Sequence, residues 1–238
     1  MKVFKNKKLI CNISTNTTLI NRLVKPFNLF LLTNLIFITG CANLNRNEVS
    51  SICLSTRLPC LLSTEYVLLI TNKGKIKLEL YGNSAPITVG HFIDYVEKGK
   101  YDKTIFNRVI KEPYPFIIRG GANIPKEGDD NFIDKQKVEI RYIPLEVKLK
   151  NNNLPTYGQQ IDTTIQKNNI ELKHKRSYLS MARSENLNSA SFQFYISLKP
   201  LPELDGSFAV FGKVIEGMKV VDSIEEGDFI VNAKRLKF

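Results

Sequence analysis

The chain has 238 residues, 43% of them hydrophobic, which is enough for one sizeable folded domain and a tail. Its formal net charge of +11 raises the question of nucleic acid, but residues 1–40 hold six Lys or Arg and no Asp or Glu, leaving 28 basic against 23 acidic residues beyond them. The remaining charge is spread without a basic helix, a Cys/His finger or an aromatic-interleaved cationic stripe, so a phosphate-tracking surface and nucleic-acid partners are not expected.

The first element is PFNLFLLTNLIFITG, running from Pro26 to Gly40. It is too short, and too interrupted by Asn28 and Asn34, for a comfortable membrane span, and it has the length of a secretory apolar region. Residues 1–40 therefore read as a signal peptide with a long N-terminal region of about 25 residues. The segment ends in Ile38-Thr39-Gly40-Cys41, which resembles the lipobox of bacterial lipoproteins, with Ile38 where Leu is usual. That resemblance implies a lipid on Cys41 and a domain held at the bacterial cell envelope, facing the periplasm or the exterior. Ala42 rather than Asp after the lipidated Cys favours an outer membrane where the host has one. Residues 41–64 read as a tether, in which Cys53 and Cys60 either pair or remain thiols; their spacing matches no common metal site.

A folded domain is expected over 65–238. EYVLLITNKGKIKLELYG carries two strand-forming runs around Asn72-Lys73-Gly74, with Ile76, Leu78 and Leu80 alternating against Lys77 and Glu79: a hairpin. SAPITVGHFIDYVEKG then offers Ser84 as a cap, Pro86 in the first turn, Val89, Phe92, Ile93 and Val96 at helical spacing, and Gly99 as a stop. Strand-like runs follow at TIFNRVI, FIIRGG, VEIRYIPLEVKL, YLSMAR, FQFYISL and FAVFGKVI, and a last helical pattern, Met218, Val221 and Ile224, ends at Gly227. Asn151 to Lys173 is polar and lacks a period, so it reads as a surface insertion that could shape access to a site. Short strands broken by Pro, Gly and Asn turns indicate a mainly β domain closed into an antiparallel barrel.

The order hairpin, helix, FNRVI, PFIIRGG, LSMAR, QFYI and LDGSFAVFGKV resembles the cyclophilin family of peptidyl-prolyl cis-trans isomerases over 65–238. The resemblance implies a closed eight-stranded antiparallel barrel capped by two α-helices, with a groove on its outer face. Residue by residue, it places the catalytic Arg on Arg108, the pocket Phe on Phe116 and the following Met on Ile117. It makes Gln193 the partner of the substrate backbone and Tyr195 a wall of the proline pocket, and adds Met181 and Ala182 from its M-A motif and Leu204 from its L-D-G turn. Several positions depart from the pattern: Arg119 stands for Gln, Asn107 for His, Arg183 for Asn and Phe208 for His. Glu203 occupies the place of the Trp with which eukaryotic members contact cyclosporin, so poor inhibition by that drug is expected.

Rotation about X-Pro breaks no bond, so the chemistry calls for no metal and no cofactor. A guanidinium at Arg108 would donate to the prolyl nitrogen as it regains its lone pair on twisting, Phe116, Ile117, Tyr195 and Leu204 would hold the ring, and Gln193 would anchor the carbonyl side. Arg119 would make the groove more basic: it would repel Arg108 or compete for the same carbonyl and weaken catalysis, or it would pair with Glu185 or with an acidic residue before proline in the substrate. His91 and His174 are assigned structural roles. The expected partners are proline-containing polypeptides and, through the lipid, a membrane; the domain is expected to be monomeric. The competing reading is a lipoprotein that binds proline-containing partners through the same groove without turning them over.

Overall fold

The computed structural model describes residues 53–122, apart from 55, and 141–237. Cys41 and the signal segment lie outside the described residues, and no helix among those described is long and apolar enough to cross a membrane.

Strands β1 (Thr64–Thr71) and β2 (Gly74–Tyr81) form the expected hairpin. Alternation puts Val67, Leu69, Ile76, Leu78 and Leu80 on one face, all fully buried, with Val67 opposite Leu78 and Leu69 opposite Ile76. The turn is held by Thr71, whose Oγ1 accepts from the backbone N–H groups of Lys73 at 3.2 Å and Gly74 at 3.1 Å. Helix α1 (Pro86–Glu97) follows with Pro in its first turn. Its N-terminus is not capped by Ser84, whose hydroxyl donates instead to Glu171 at 2.6 Å. The orphan N–H groups of Ile87 and Thr88 donate to the carboxylate of Glu146, at 3.2 and 2.9 Å. Ten of the twelve residues of α1 are buried, and Phe92 meets Tyr101, Phe194 and Phe211 with ring centroids 4.8, 5.6 and 5.3 Å away.

The remaining strands are β3 (Arg108–Val109), β4 (Ile117–Gly120), β5 (Glu146–Val147), β6 (Thr156–Tyr157), β7 (Tyr178–Met181), β8 (Phe194–Ser197), β9 (Val210–Glu216) and β10 (Ile230–Leu236). Two short helices, α2 (Thr163–Gln166) and α3 (Met218–Ser223), and a single 3₁₀ turn at Pro202–Leu204 complete the fold. Eight strands make one antiparallel sheet in the order β10-β1-β2-β9-β7-β8-β4-β3, and β5 pairs with β6 separately.

The sheet is open, which corrects the expected closed barrel. Its edge strands β10 and β3 do not pair with each other. Strand β3 is only two residues long, so the seam is crossed by the irregular segment before it: Lys103 N–H donates to Ile230 O and Phe106 N–H to Asp228 O, each at 2.7 Å. Strand β10 is also an addition to the expected elements. Its burial does not alternate, with only Ile230 and Ala233 buried in IVNAKRL, because a bulge at Ile70/Thr71 interrupts its ladder with β1. Among its described residues, the run VEIRYIPLEVKL contributes β5 and isolated bridges from Ile143 to Ala190 and from Leu149 to Ile170.

The segment Asn151 to Lys173 is packed on the domain. It carries β6 and α2, whose N-cap Asp162 accepts from Thr164 N–H at 2.8 Å, and it buries Ile170 with Leu145, Val147 and Ala209. It also docks on the turn of the L-D-G motif: Ile161 N–H donates to Gly206 O at 3.1 Å and Gln160 Nε2 to Ser207 Oγ at 3.3 Å. Gly206 has φ +76°, and a Cβ there would lie 2.7 Å from Ile161 O, so this approach requires glycine.

Candidate active site

The pleat of β4 and β8 separates the core from a second apolar surface. Ile118, Phe194 and Ile196 point inward, whereas Ile117 and Tyr195 belong to a distinct cluster on the outer face with Leu201. Ile110, Phe116, Ala182, Leu204 and Phe208 rim that cluster, each partly buried. Six of the residues expected to bind substrate (Phe116, Ile117, Ala182, Tyr195, Leu204 and Phe208) are therefore brought together, joined by Leu201 and Ile110, which were not anticipated. Phe116 is fixed by its backbone, donating to Ile110 O at 3.0 Å and accepting from Leu198 N–H at 2.9 Å. Met181 is instead part of the main core.

Arg108 stands directly across β3 and β4 from Arg119, which stands directly across β4 and β8 from Tyr195. Cross-strand partners share a face, so both guanidinium stems rise from the groove side, Arg108 about 10 Å of sheet from the Tyr195 strand. Arg108 is exposed, and its guanidinium makes no hydrogen bond or ion pair with the described residues. Arg119 is half-buried; its Nε donates to Asn107 Oδ1 at 3.4 Å, not to Glu185. Burial first, and then the like charge of Arg108, hold the Arg119 guanidinium below its ordinary range, against a smaller pull from Glu226. Gln193 lies two residues before Tyr195; its carbonyl accepts from Ala182 N–H at 2.9 Å and its side-chain amide is unengaged among the described residues.

Behind the pocket lies an arrangement that the sequence reading passed over. His174 is buried, with Nδ1 2.9 Å and its backbone N–H 2.8 Å from Asp205 Oδ1, and Nε2 2.8 Å from the Tyr195 hydroxyl. With Nδ1–H donating to the carboxylate, Nε2 accepts from the tyrosine O–H. Its carbonyl accepts from Leu201 N–H at 2.9 Å, so one residue ties the pocket wall to the loop that carries Leu201, Leu204 and Asp205. Burial keeps the Tyr195 hydroxyl well above the usual phenol range, hence protonated and able to donate. The available signal was Tyr195 itself: a tyrosine in an apolar wall needs a hydrogen-bond partner, and the chain has two histidines.

Two departures from the family pattern form one unit. Arg183 lies over the Phe208 ring, 4.7 Å from its centroid, and its Nε donates to Ser207 O at 2.9 Å. Phe208 in turn meets Tyr195 edge-on at 5.9 Å.

Comparison with known proteins decides the family. The model of the cyclophilin type peptidyl-prolyl cis-trans isomerase family matches residues 66–237. The chain belongs to that family. Among curated relatives, a Synechocystis protein provisionally named a thylakoid lumen peptidyl-prolyl cis-trans isomerase is 34% identical over 187 residues, covering 74% of this chain and 48% of the relative. The chain thus spans about half the length of that relative. A peptidyl-prolyl cis-trans isomerase of Acinetobacter baylyi is 35% identical, with 65% of this chain and 68% of the relative covered. Peptidyl-prolyl cis-trans isomerase A of Dickeya dadantii is 32% identical, with 69% and 73% covered. A cyclophilin type isomerase of Cryptosporidium parvum, crystallised in the presence of the dipeptide Ala-Pro, is similar with TM-score 0.50 and 25% identity, over 73% of this chain and 99% of that one.

Proposed function

We propose that this cyclophilin-family chain is an active peptidyl-prolyl cis-trans isomerase that assists protein folding outside the cytoplasm, with Arg108 as its catalytic residue. The observation that carries the reading is Arg108, whose guanidinium has no partner among the described residues, on the same face as an outer apolar cluster of Ile117, Tyr195 and Leu201 suited to a proline ring. The barrier to X-Pro rotation, roughly 18–20 kcal/mol, is mostly lost amide resonance. At the twisted geometry the prolyl nitrogen carries a lone pair that the planar amide lacks, so a guanidinium positioned there binds the transition state more strongly than the ground state. Phe116, Ile117, Tyr195, Leu201 and Leu204 hold the pyrrolidine ring, and the free amide of Gln193 holds the adjoining backbone. One side of the bond is fixed while the other turns.

Export of the domain is supported by the apolar Pro26 to Gly40 segment, by the Cys53–Cys60 disulfide, whose Cα atoms lie 5.7 Å apart, and by the thylakoid lumen in one relative's name. On this reading residues 1–40 are removed, Cys41 carries the lipid, and the chain from Cys41 tethers a monomeric domain to the membrane, where it meets proline-containing polypeptides in an unfolded state. The end of the expected 41–64 tether belongs to the domain instead, with Leu58, Cys60 and Leu61 packed on its core and Leu61 N–H donating to Pro86 O at 3.0 Å. Mass spectrometry of the membrane-extracted protein tests the anchor: a diacylated N-terminal Cys41, lost in Cys41→Ala, supports it, and an unmodified Cys41 refutes it.

For the activity, the full chain and its Arg108→Ala variant are compared on an Ala-Pro test peptide. The wild type accelerates isomerisation and the variant loses at least about 100-fold in kcat/KM. Absence of acceleration by a folded wild type overturns the reading in favour of a proline-peptide binder, to which the like charge of Arg119 beside Arg108 lends support.

A further inference from the structure

The outer groove holds more positive charge than the rotation of a peptide bond requires. Arg108 and Arg119 are direct cross-strand partners, and Arg183 covers Phe208 at the other side of the pocket. None of the three makes an ion pair with a carboxylate among the described residues. Arg176 and Arg235, by contrast, are paired with Asp222 and with Glu65 and Glu97. Arg183 has its donors occupied by the carbonyls of Ser184, Glu185 and Ser207, so its charge is fixed in place without being neutralised. Arg119 has only the side-chain oxygen of Asn107, at the long distance of 3.4 Å.

Arg119 is the unusual member. It is half-buried beside a second guanidinium, and these two conditions, desolvation and like charge, both disfavour the cation. With only the weak pull of Glu226 and no ion pair among the described residues to offset that cost, a ready source of relief is an anion delivered by what binds there. The occupant of the pocket is a prolyl peptide, and the strand order Arg108, Arg119, Tyr195 puts the Arg119 stem between the residue facing the bond and the residue facing the ring. A carboxylate on a neighbour of the proline lies within reach of that guanidinium.

We infer that this groove selects prolyl peptides bearing an acidic side chain directly before or after the proline, with Arg119 as the specificity-determining residue that pairs with it. The inference rests on the isomerase reading above and narrows its substrate class. Arg119 acts here on recognition, and Arg108 alone acts on the rotating bond.

The test measures kcat/KM of the full chain at low and high salt on five peptides of one scaffold: Ala-Pro as reference, Glu-Pro against Lys-Pro, and Pro-Glu against Pro-Lys. The Glu peptide exceeds its Lys counterpart by about 5- to 30-fold in at least one position at low ionic strength, and the gap shrinks at high salt. Arg119→Lys keeps most of the gap and Arg119→Gln closes it, whatever either change does to the Ala-Pro rate. A ratio near one at both positions overturns the inference, as does an undiminished ratio in folded Arg119→Gln; should that variant not fold, the wild-type ratio and its salt dependence decide. Turnover of Ala-Pro without charge preference sinks this inference alone, whereas failure on all five peptides sinks the isomerase reading itself.

Discussion

The two ends of the buried chemistry around α1 oppose each other in pH, and their removal one at a time exposes the opposition. Glu146 is 1% exposed, and burial raises its carboxyl to about 7 from the ordinary 4.5, against the pull of the Thr88 and Ile87 N–H groups. His91 is fully buried, and burial lowers it to about 4 from 6.5. Its Nε2–H donates to Ser191 O and its Nδ1 accepts from Arg141 Nε at 3.2 Å, as a neutral ring requires. For Glu146 the folded state holds a proton that the unfolded chain releases. Its contribution to stability is therefore complete below pH 4.5 and lost as pH rises to about 7. For His91 the unfolded chain takes up a proton that the folded state refuses, so its contribution is complete above pH 6.5 and lost as pH falls to about 4. Each slope is about 1.4 kcal/mol per pH unit and each total about 3 kcal/mol.

Between pH 4.5 and 6.5 the two slopes cancel, and the wild type unfolds with nearly constant free energy. The carboxylates held below their ordinary range, Glu79, Asp94 and Asp228, begin to matter only at the acid limit of that window. Glu146→Gln leaves the histidine slope alone, so stability rises by about 2 to 3 kcal/mol from pH 4.5 to 6.5; His91→Gln leaves the glutamate slope, and stability falls by a similar amount. Urea unfolding followed by far-ultraviolet circular dichroism measures both, the chain having no Trp to report by fluorescence. A flat profile in folded Glu146→Gln refutes the argument, because it means that His91 is not held neutral by its surroundings.

Three further outcomes are expected. Tyr195→Phe leaves His174 Nε2 unsatisfied, and His174→Leu leaves the Tyr195 hydroxyl unsatisfied and Asp205 with only the backbone N–H of residue 174, each costing about 1–3 kcal/mol; the double variant costs clearly less than the sum, and additivity in urea unfolding would refute the coupling. Opening the Cys53–Cys60 disulfide by Cys53→Ser with Cys60→Ser lowers stability by about 2 kcal/mol from the small loop it closes, and an unchanged unfolding midpoint would refute that contribution. Cyclosporin inhibits poorly, since exposed Glu203 on the 3₁₀ turn offers no indole to it; submicromolar inhibition of Ala-Pro isomerisation would refute this.

The hairpin was legible because its burial follows the period a strand imposes, every second residue in β1 and β2, and α1 because Val89, Phe92, Ile93 and Val96 fall at helical spacing between Pro86 and Gly99, although ten of its twelve residues prove buried. The pocket residues were legible through family blocks, and the sheet then showed why Ile117 and Tyr195 leave the core while Ile118 and Ile196 enter it. What could not be read depends on contacts between distant residues. Strand β10 hides its period behind a bulge set by β1, Glu146 caps a helix 58 residues earlier in the chain, and His174 finds partners 21 and 31 residues on. The polar segment after Asn151 lacks a period because it is shaped by docking on Gly206 and Ser207 and not by a face of its own.

The departures from the family pattern make more sense in sets than singly. The Tyr195 hydroxyl needs the acceptor that His174 provides, and His174 Nε2 is free to accept because Nδ1 keeps the ring proton and donates it in a hydrogen bond to Asp205. Phe208 gives Arg183 a ring to cover, and Ser207, in the same turn, gives it a carbonyl to hold. Arg119 has a weak partner in Asn107, itself a departure, and shares its face with Arg108. In the first set every buried donor finds its acceptor within the chain, and in the second the Arg183 guanidinium donates to carbonyls that hold its charge in place without neutralising it. The third is the least satisfied among the described residues, with two guanidinium groups, one amide oxygen at 3.4 Å and only a weak pull from Glu226. A set left open on the rim of a groove is where a ligand supplies the missing group, so the preference for charge beside the proline, and not the fit of the ring against the apolar cluster, is what changes at Arg119 should alter.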